Sequence, residues 1–441
     1  MISTYLSASR PVSEMSKNQN LLFGGLAFLT GLLTLMMIRL QISSFMLLLS
    51  LIIFATTSYN IYIGFLLWLI PTILSSIINE YLLDVPLIFN PAFVLGASVY
   101  QFLTKKLMLK DKSILVFFSL TAIWVLLLSL NNGYYGSINA VANFVLILII
   151  CYFVINLLIR NYLPLILKLP VCVLISGYIA LIMAYSGEID ANRLAISDSV
   201  RQLANVLSFA SAVTLLVIIS YGQKYISRVK TFVYYFLTIP IVFSLFITVS
   251  RGAIIASMAA VTISYLFSIY KNQKKITKII PTLMLISIPL IAITQLNLDM
   301  FQRYFNNLSY RFQAENLEFG TEIRQYIWKN VIFNLDNSEL MLGLGIGGFR
   351  YKSSILNIYY YSHSVFVDFL VTCGLLFFIP FIIFLLGTLI RGLKQMNHFC
   401  IGLMAFIVLC FVSHGSITSL IFWLGFSIAR ASTLAYQQNL K

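Results

Sequence analysis

The chain has 441 residues, 60% of them hydrophobic and only 10% charged, with a mean hydropathy of +0.93. A water-soluble core cannot hide that much apolar surface, so composition excludes a soluble globular protein and leaves a polytopic helical membrane protein. The formal net charge of +15 is scattered among short loops between apolar runs. That distribution speaks against nucleic acid as a partner and for the bilayer.

The apolar runs are near-continuous and roughly 17 to 25 residues long, which suits membrane helices and not the short alternating strands of a β-barrel. The polar start, MISTYLSASRPVSEMSKNQN, has no short apolar core followed by a small-residue cleavage site, and reads as a cytoplasmic tail. About fourteen spans follow by the length criterion. They lie near 21–38, 42–57, 61–79, 87–103, 113–130, 138–158, 169–186, 203–221, 231–249, 253–270, 279–296, 364–389, 398–413 and 416–433. The connections at Arg39–Gln41 and Ser58–Asn60 are very tight, so twelve spans also fit, with a re-entrant segment among the first three. Charge sets the orientation. The loops assigned to the cytoplasm, from Arg10 to Lys441, hold 19 Lys and Arg against only Glu14 and Asp111, whereas the remainder holds 10 basic and 12 acidic residues. This asymmetry is the positive-inside pattern and puts both termini in the cytoplasm.

Cys151, Cys172, Cys373, Cys400 and Cys410 lie singly in apolar stretches with no CxxC spacing. They read as buried small residues, not as a metal site or disulfide framework. Neither an internal repeat nor a low-complexity linker is visible, so residues 1–441 read as one all-α membrane domain with an extracytoplasmic cap. Two outward loops exceed turn length. The smaller is 186–202, SGEIDANRLAISDSVRQ. The larger, 297–362, is too long for a bare connection and is expected to contain short helices. Within it Thr321 can cap a helix starting at Glu322, which places Ile323, Ile327 and Val331 on one face and Arg324 with Trp328 on an adjoining stripe.

Chemistry concentrates around this large loop. Arg251, in Ser250–Arg251–Gly252, sits between two apolar runs with almost no loop to spare. A charge held at the membrane boundary seeks a partner, and the planar fork of Arg suits a phosphate. Arg201, Arg324 and Arg350 are the other outward arginines grouped with it, since a lipid diphosphate needs several cationic donors. His363 opens the span after the loop, in YYYSHSVFVDF. Its ordinary pKa near 6.5 suits accepting a proton from a hydroxyl. Tyr360, in the tyrosine run before it, is grouped with substrate contacts, as is Asp368, which is too costly to face lipid. Glu315, Glu318 and Glu322 read as a solvated face, with no DxD or paired carboxylates at ligand spacing, so no metal site and no cofactor are indicated. Gly343–Gly348, GLGIGG, matches a dinucleotide fingerprint literally, but no βαβ pattern surrounds it. It reads as a turn permitting close backbone approach, with N–H groups available to a phosphate.

These residues together resemble the O-antigen polymerase and ligase family of bacterial envelope glycan assembly. The resemblance rests on SRGAIIA from Ser250, R-x-x-x-W at Arg324–Trp328, GLGIGGF from Gly343 and HSVFVDFLVTCGLLFFI from His363, with a weaker echo in RQLANVLSFASA from Arg201. It covers roughly residues 200–380. It implies a GT-C-like fold of about 12–14 transmembrane helices with one large periplasmic loop, in the bacterial inner membrane. It further implies a metal-independent inverting glycosyltransferase whose donor is an undecaprenyl-diphosphate-linked oligosaccharide. Arg251 and Arg324 would stabilise the leaving diphosphate and His363 would be the base. A chain-length regulator protein would be a partner. Ligase members often carry Asn after the His, where this chain has Ser364, which tilts the expectation toward polymerase; many relatives carry an acid where Cys373 precedes Gly374. The alternative within the family is a ligase acting on lipid A–core. The alternative of another class is a flippase or transporter of lipid-linked oligosaccharides, which calls for charged or broken helices in mid-membrane.

Overall fold

The computed structural model describes residues 17–40, 43–74, 86–104, 111–131, 138–185, 198–248, 250–271, 314–358, 362, 364–413 and 419–438. Every regular element among them is an α-helix. The first half of the chain forms α1 (Lys17–Leu40), α2 (Ser43–Tyr59), α3 (Ile61–Ile73), α4 (Pro86–Thr104), α5 (Lys112–Asn131), α6 (Ile138–Arg160), the short α7 (Tyr162–Ile166) and α8 (Leu169–Tyr185). The second half forms α9 (Asp198–Tyr225), α10 (Arg228–Ile247), α11 (Arg251–Lys271), α12 (Ala314–Phe333), α13 (Asn337–Leu342), α14 (Gly348–Ile355), α15 (Val365–Lys394), α16 (His398–Ser413) and α17 (Leu420–Gln438). Seven of the described helices are long and apolar enough to cross a membrane, and six shorter apolar ones accompany them. Thirteen of the expected spans therefore fall on helices, and the one at 279–296 lies outside the described residues.

The tight connection after Tyr59 is a corner made by a single residue. Asn60 is extended, and its side chain accepts from the N–H groups of Tyr62 and Ile63, so α3 starts at once after α2. No re-entrant loop is needed there, although α3 with 13 residues is only about 20 Å long.

A single apolar core runs from Phe23 on α1 to Ala431 on α17. Its aromatic centre joins three helices: Phe369 stacks on Phe381 at 4.5 Å, and Trp423 stands 5.6 Å from Phe381 and 6.0 Å from Phe144. Helices α11 and α16 pack closely. A β-carbon on Gly402 would lie 2.9 Å from the Ala260 carbonyl oxygen, so only glycine lets the two backbones approach so closely.

Arg430 corrects the charge reading. It is one of the 19 basic residues assigned above to cytoplasmic loops, yet it lies inside α17 with 3% of its side chain exposed, and its Nε donates to Asp111 Oδ2 at 2.9 Å. Arg430 also contacts Thr388 and lies over the Phe384 ring, both on α15, so this pair joins the start of α5 to α15 and α17. Burial alone would raise the Asp111 carboxyl, but the Arg430 guanidinium and hydrogen bonds from Ser113 and Ile114 outweigh burial and hold it below the ordinary carboxylate value. We call this the far end of the bundle.

Candidate active site

At the other end, helices α12, α13 and α14 form a cap with a small core of its own. Ile327, Val331, Leu344 and Phe349 bury themselves against Val371 of α15. Ile327 and Val331 are 2% and 0% exposed, as their spacing required. The helix does not start at Glu322, however. It starts at Ala314 and passes through Gly320 and Thr321, because the preceding AENLEF run continues the helix and nothing there breaks it. Next, α13 opens with a capping box: Asp336 accepts from the Glu339 N–H while Glu339 reaches back to the Asp336 N–H. Lys352 of α14 then pairs with Glu339.

The glycine-rich segment has an unexpected partner. Within α15, Gly374 takes φ 69° and ψ 174°, which breaks the helix. Carbonyls that would have accepted from the next turn are thereby freed. Leu344 N–H donates to Val371 O at 2.8 Å and Gly345 N–H to Thr372 O at 3.0 Å. Gly343, at φ 87°, and Gly374 face each other so closely that a β-carbon on either would strike the backbone of the other. This narrows the phosphate reading of GLGIGG, since four of its six N–H groups are already engaged. The N–H groups of Gly343, Leu344, Gly345 and Gly348 are committed to Glu339, Val371, Thr372 and Gly345 carbonyls, so the segment is a backbone lock. From the bundle side, Trp124 of α5 donates its indole N–H to Leu342 O at 2.8 Å and stacks on Phe377 at 5.8 Å.

Trp328, one turn after Arg324, donates its indole N–H to the Ser362 carbonyl at 2.6 Å. Ser364 is the N-cap of α15 and its hydroxyl accepts from the Val367 N–H. The two neighbours of position 363 are thus held, one by the cap and one by α15. His363 itself lies outside the described residues, as does Tyr360. Arg324 and Asp368 are half-buried and Arg350 is exposed. Asp368 lies in the first turn of α15, close in sequence to the Ser362 anchor.

Arg251 is the first residue of α11 and Arg201 lies in the first turn of α9; their side chains lie outside the described residues. Their helices fix their relative height. Ser257 Oγ donates to Ser208 O at 3.3 Å, and Gly402 meets Leu216 of α9 together with Ala260 and Ser264 of α11. Hence α9 and α11 run in parallel, and both arginines stand about two turns before the same contact level. Helix α16 runs the opposite way, with Cys410 Sγ against Asn205 Oδ1 at 3.6 Å, and packs against both α11 and α15. The starts of α9, α11 and α15 therefore lie toward the same end of α16, its C-terminal end. All of these sit at the cap end.

Two features important to this arrangement escaped the residue pattern. The Trp328 anchor has no signature, because an indole N–H can seek any carbonyl. The Gly374 break was visible as a mid-span glycine, but its coupling to GLGIGG depends on tertiary pairing. Two expectations of the transporter reading, a broken helix and a buried charge, do occur. Yet the break is filled by cap N–H groups, and the charge is paired at the far end.

Residues 236–382 match the model of a family described as O-antigen ligase. The match contains Arg251, Arg324, GLGIGG, Gly374 and His363, and leaves Arg201 outside. No curated protein and no solved structure matches the chain. Over residues 236–382, the chain is therefore similar to the O-antigen ligase family, in keeping with the resemblance read from its residues.

Proposed function

We propose that this chain is a repeat-unit polymerase of the bacterial inner membrane, with both termini cytoplasmic and the cap periplasmic. It moves a growing glycan from undecaprenyl diphosphate to the non-reducing sugar of one lipid-linked repeat. The acceptor hydroxyl attacks the anomeric carbon of the donor sugar from the face opposite the diphosphate. The new glycosidic bond forms as the bond to the phosphate oxygen breaks, inverting the centre, and the electron pair leaves with the diphosphate. Arg251 and Arg324 meet the charge that develops on that leaving group, which in such sites is the largest electrostatic contribution to rate. His363 accepts the hydroxyl proton. Arg201, at the same height as Arg251, joins the cationic side of the site, and Arg350, Tyr360 and Asp368 are its further substrate contacts. No metal is assigned a role, because the cations are arginines.

The observation that carries this reading is the Trp328–Ser362 hydrogen bond. It joins the helix of the proposed leaving-group cation to the peptide that leads into the proposed base. The ligase reading is favoured by the description of the matching family. Ser364 does not separate the two activities, because Ser and Asn cap a helix equally well. Deleting the gene does separate them. A polymerase-null cell retains single lipid-linked repeats and no polymer, whereas long polymer left on its lipid carrier would establish the ligase and refute the polymerase. A chain-length regulator remains the proposed protein partner of the polymerase.

A further inference from the structure

We propose that Trp328 is a positioning residue that sets Arg324 against the start of α15. The inference rests on the glycosyl-transfer reading above and adds a residue to it. Several hydrogen bonds join cap and bundle around this site. Leu344 and Gly345 donate to Val371 and Thr372, Trp124 donates to Leu342, and Trp328 donates to Ser362. The first three fix α13 and the glycine segment. Trp328 makes its bond one turn from Arg324, and its acceptor is the residue immediately before position 363.

Packing does not require this bond. The face of α12 that builds the cap core is Ile327 and Val331, both fully buried, while Trp328 is only half-buried beside them. A half-buried indole could satisfy its N–H in water. Here it reaches across 34 residues of sequence to a main-chain carbonyl at 2.6 Å. Ser362 and Ser364 are themselves buried, at 4% and 2% exposed, so the peptide on both sides of position 363 is held in place. A leaving-group cation and an acceptor base must act on the two ends of one forming and breaking bond pair, and their spacing is then a kinetic variable. A misplacement of about 1 Å can cost on the order of 100-fold in rate.

The test uses full-length protein in lipid nanodiscs. The probe is the undecaprenyl-diphosphate-linked saccharide extracted from cells that lack this chain, with rates normalised to monodisperse protein. Trp328→Phe keeps the ring and removes the donor; Trp328→Met is read in the same way if the phenylalanine variant does not purify. The expected result is a kcat lower by about 10-fold or more with KM within about twofold. In an Arg324→Ala background the same change should cost less than about twofold, because its effect is transmitted through Arg324. A purely structural role would instead multiply the two losses, and that outcome overturns the proposal. Wild-type kcat in Trp328→Phe, with kcat lost in Arg324→Ala, overturns this proposal alone. Wild-type turnover in Arg324→Ala overturns the site reading, and this inference with it.

Discussion

Replacing Gly374 with alanine should open the lock between α15 and the cap. Two costs arise at this position. A residue other than glycine at φ 69°, ψ 174° costs about 1–3 kcal/mol. The added β-carbon also collides with Met341 O and Gly343 N. Neither atom can give way without moving the loop, and that movement releases the hydrogen bonds from Leu344 and Gly345 to Val371 and Thr372, about 1 kcal/mol each. The sum is about 3–5 kcal/mol of local stability, or roughly 10²- to 4 × 10³-fold in the opening equilibrium. Hydrogen exchange read by mass spectrometry on peptides covering 342–348 reports that equilibrium directly. The amides of Leu344 and Gly345 should be protected in the parent chain and lose protection by at least about 10²-fold in Gly374→Ala. Equal protection in both proteins would refute the lock, and with it the structural role assigned to GLGIGG.

Further predictions concern the bundle. Arg430→Met leaves Asp111 buried and unpaired and should cost about 3–5 kcal/mol, whereas Arg430→Met with Asp111→Leu should recover most of that loss; thermal unfolding in one detergent compares the three proteins. The Asp111 carboxyl is held below its ordinary value. Its contribution is therefore complete above about pH 4, the unfolded value, and is lost as pH falls through the lower folded value. Asp111→Asn should accordingly flatten the acid limb of a melting profile below about pH 4. Asn90 accepts from Trp68 Nε1 at 3.3 Å and donates to Asn143 Oδ1 at 3.4 Å. Asn90→Leu strands the buried indole N–H and should cost about 1–3 kcal/mol, measured by the same melts. All five cysteines are free and buried, so a maleimide should label none in the folded protein and all five after denaturation.

The sequence made the helical membrane architecture readable because bilayer thickness imposes span length. Helix α5, expected over 113–130, forms over Lys112–Asn131, and α16 spans 398–413 as expected. Apolar spacing also identified Ile327 and Val331 as the buried face of the cap helix. What local pattern could not supply were partners distant in the chain. Arg430 looked like a loop charge because Asp111 is 319 positions away. GLGIGG looked like a set of free N–H donors because nothing local shows that Gly374 breaks α15 and offers two carbonyls. The early start of α12 has a simpler cause: Thr321 is a good cap residue, but a cap forms only where the preceding residues leave the helix, and Ala314–Gly320 do not. Among the site residues, the order of Arg251, Arg324 and His363 around one large loop was legible; that α9, α11 and α15 start at the same end follows from helix directions that only packing defines.

The central claim is glycosyl transfer at the cap end using Arg251 and Arg324. Its most direct test is reconstitution of the purified chain with undecaprenyl-diphosphate-linked repeats as the sole substrate, followed by electrophoresis of the glycan products. The parent chain should yield a ladder of polymer, and Arg251→Ala and Arg324→Ala should each leave single repeats. Absence of any glycosidic product from the folded parent chain, or an unaltered ladder from both arginine variants, would contradict the account.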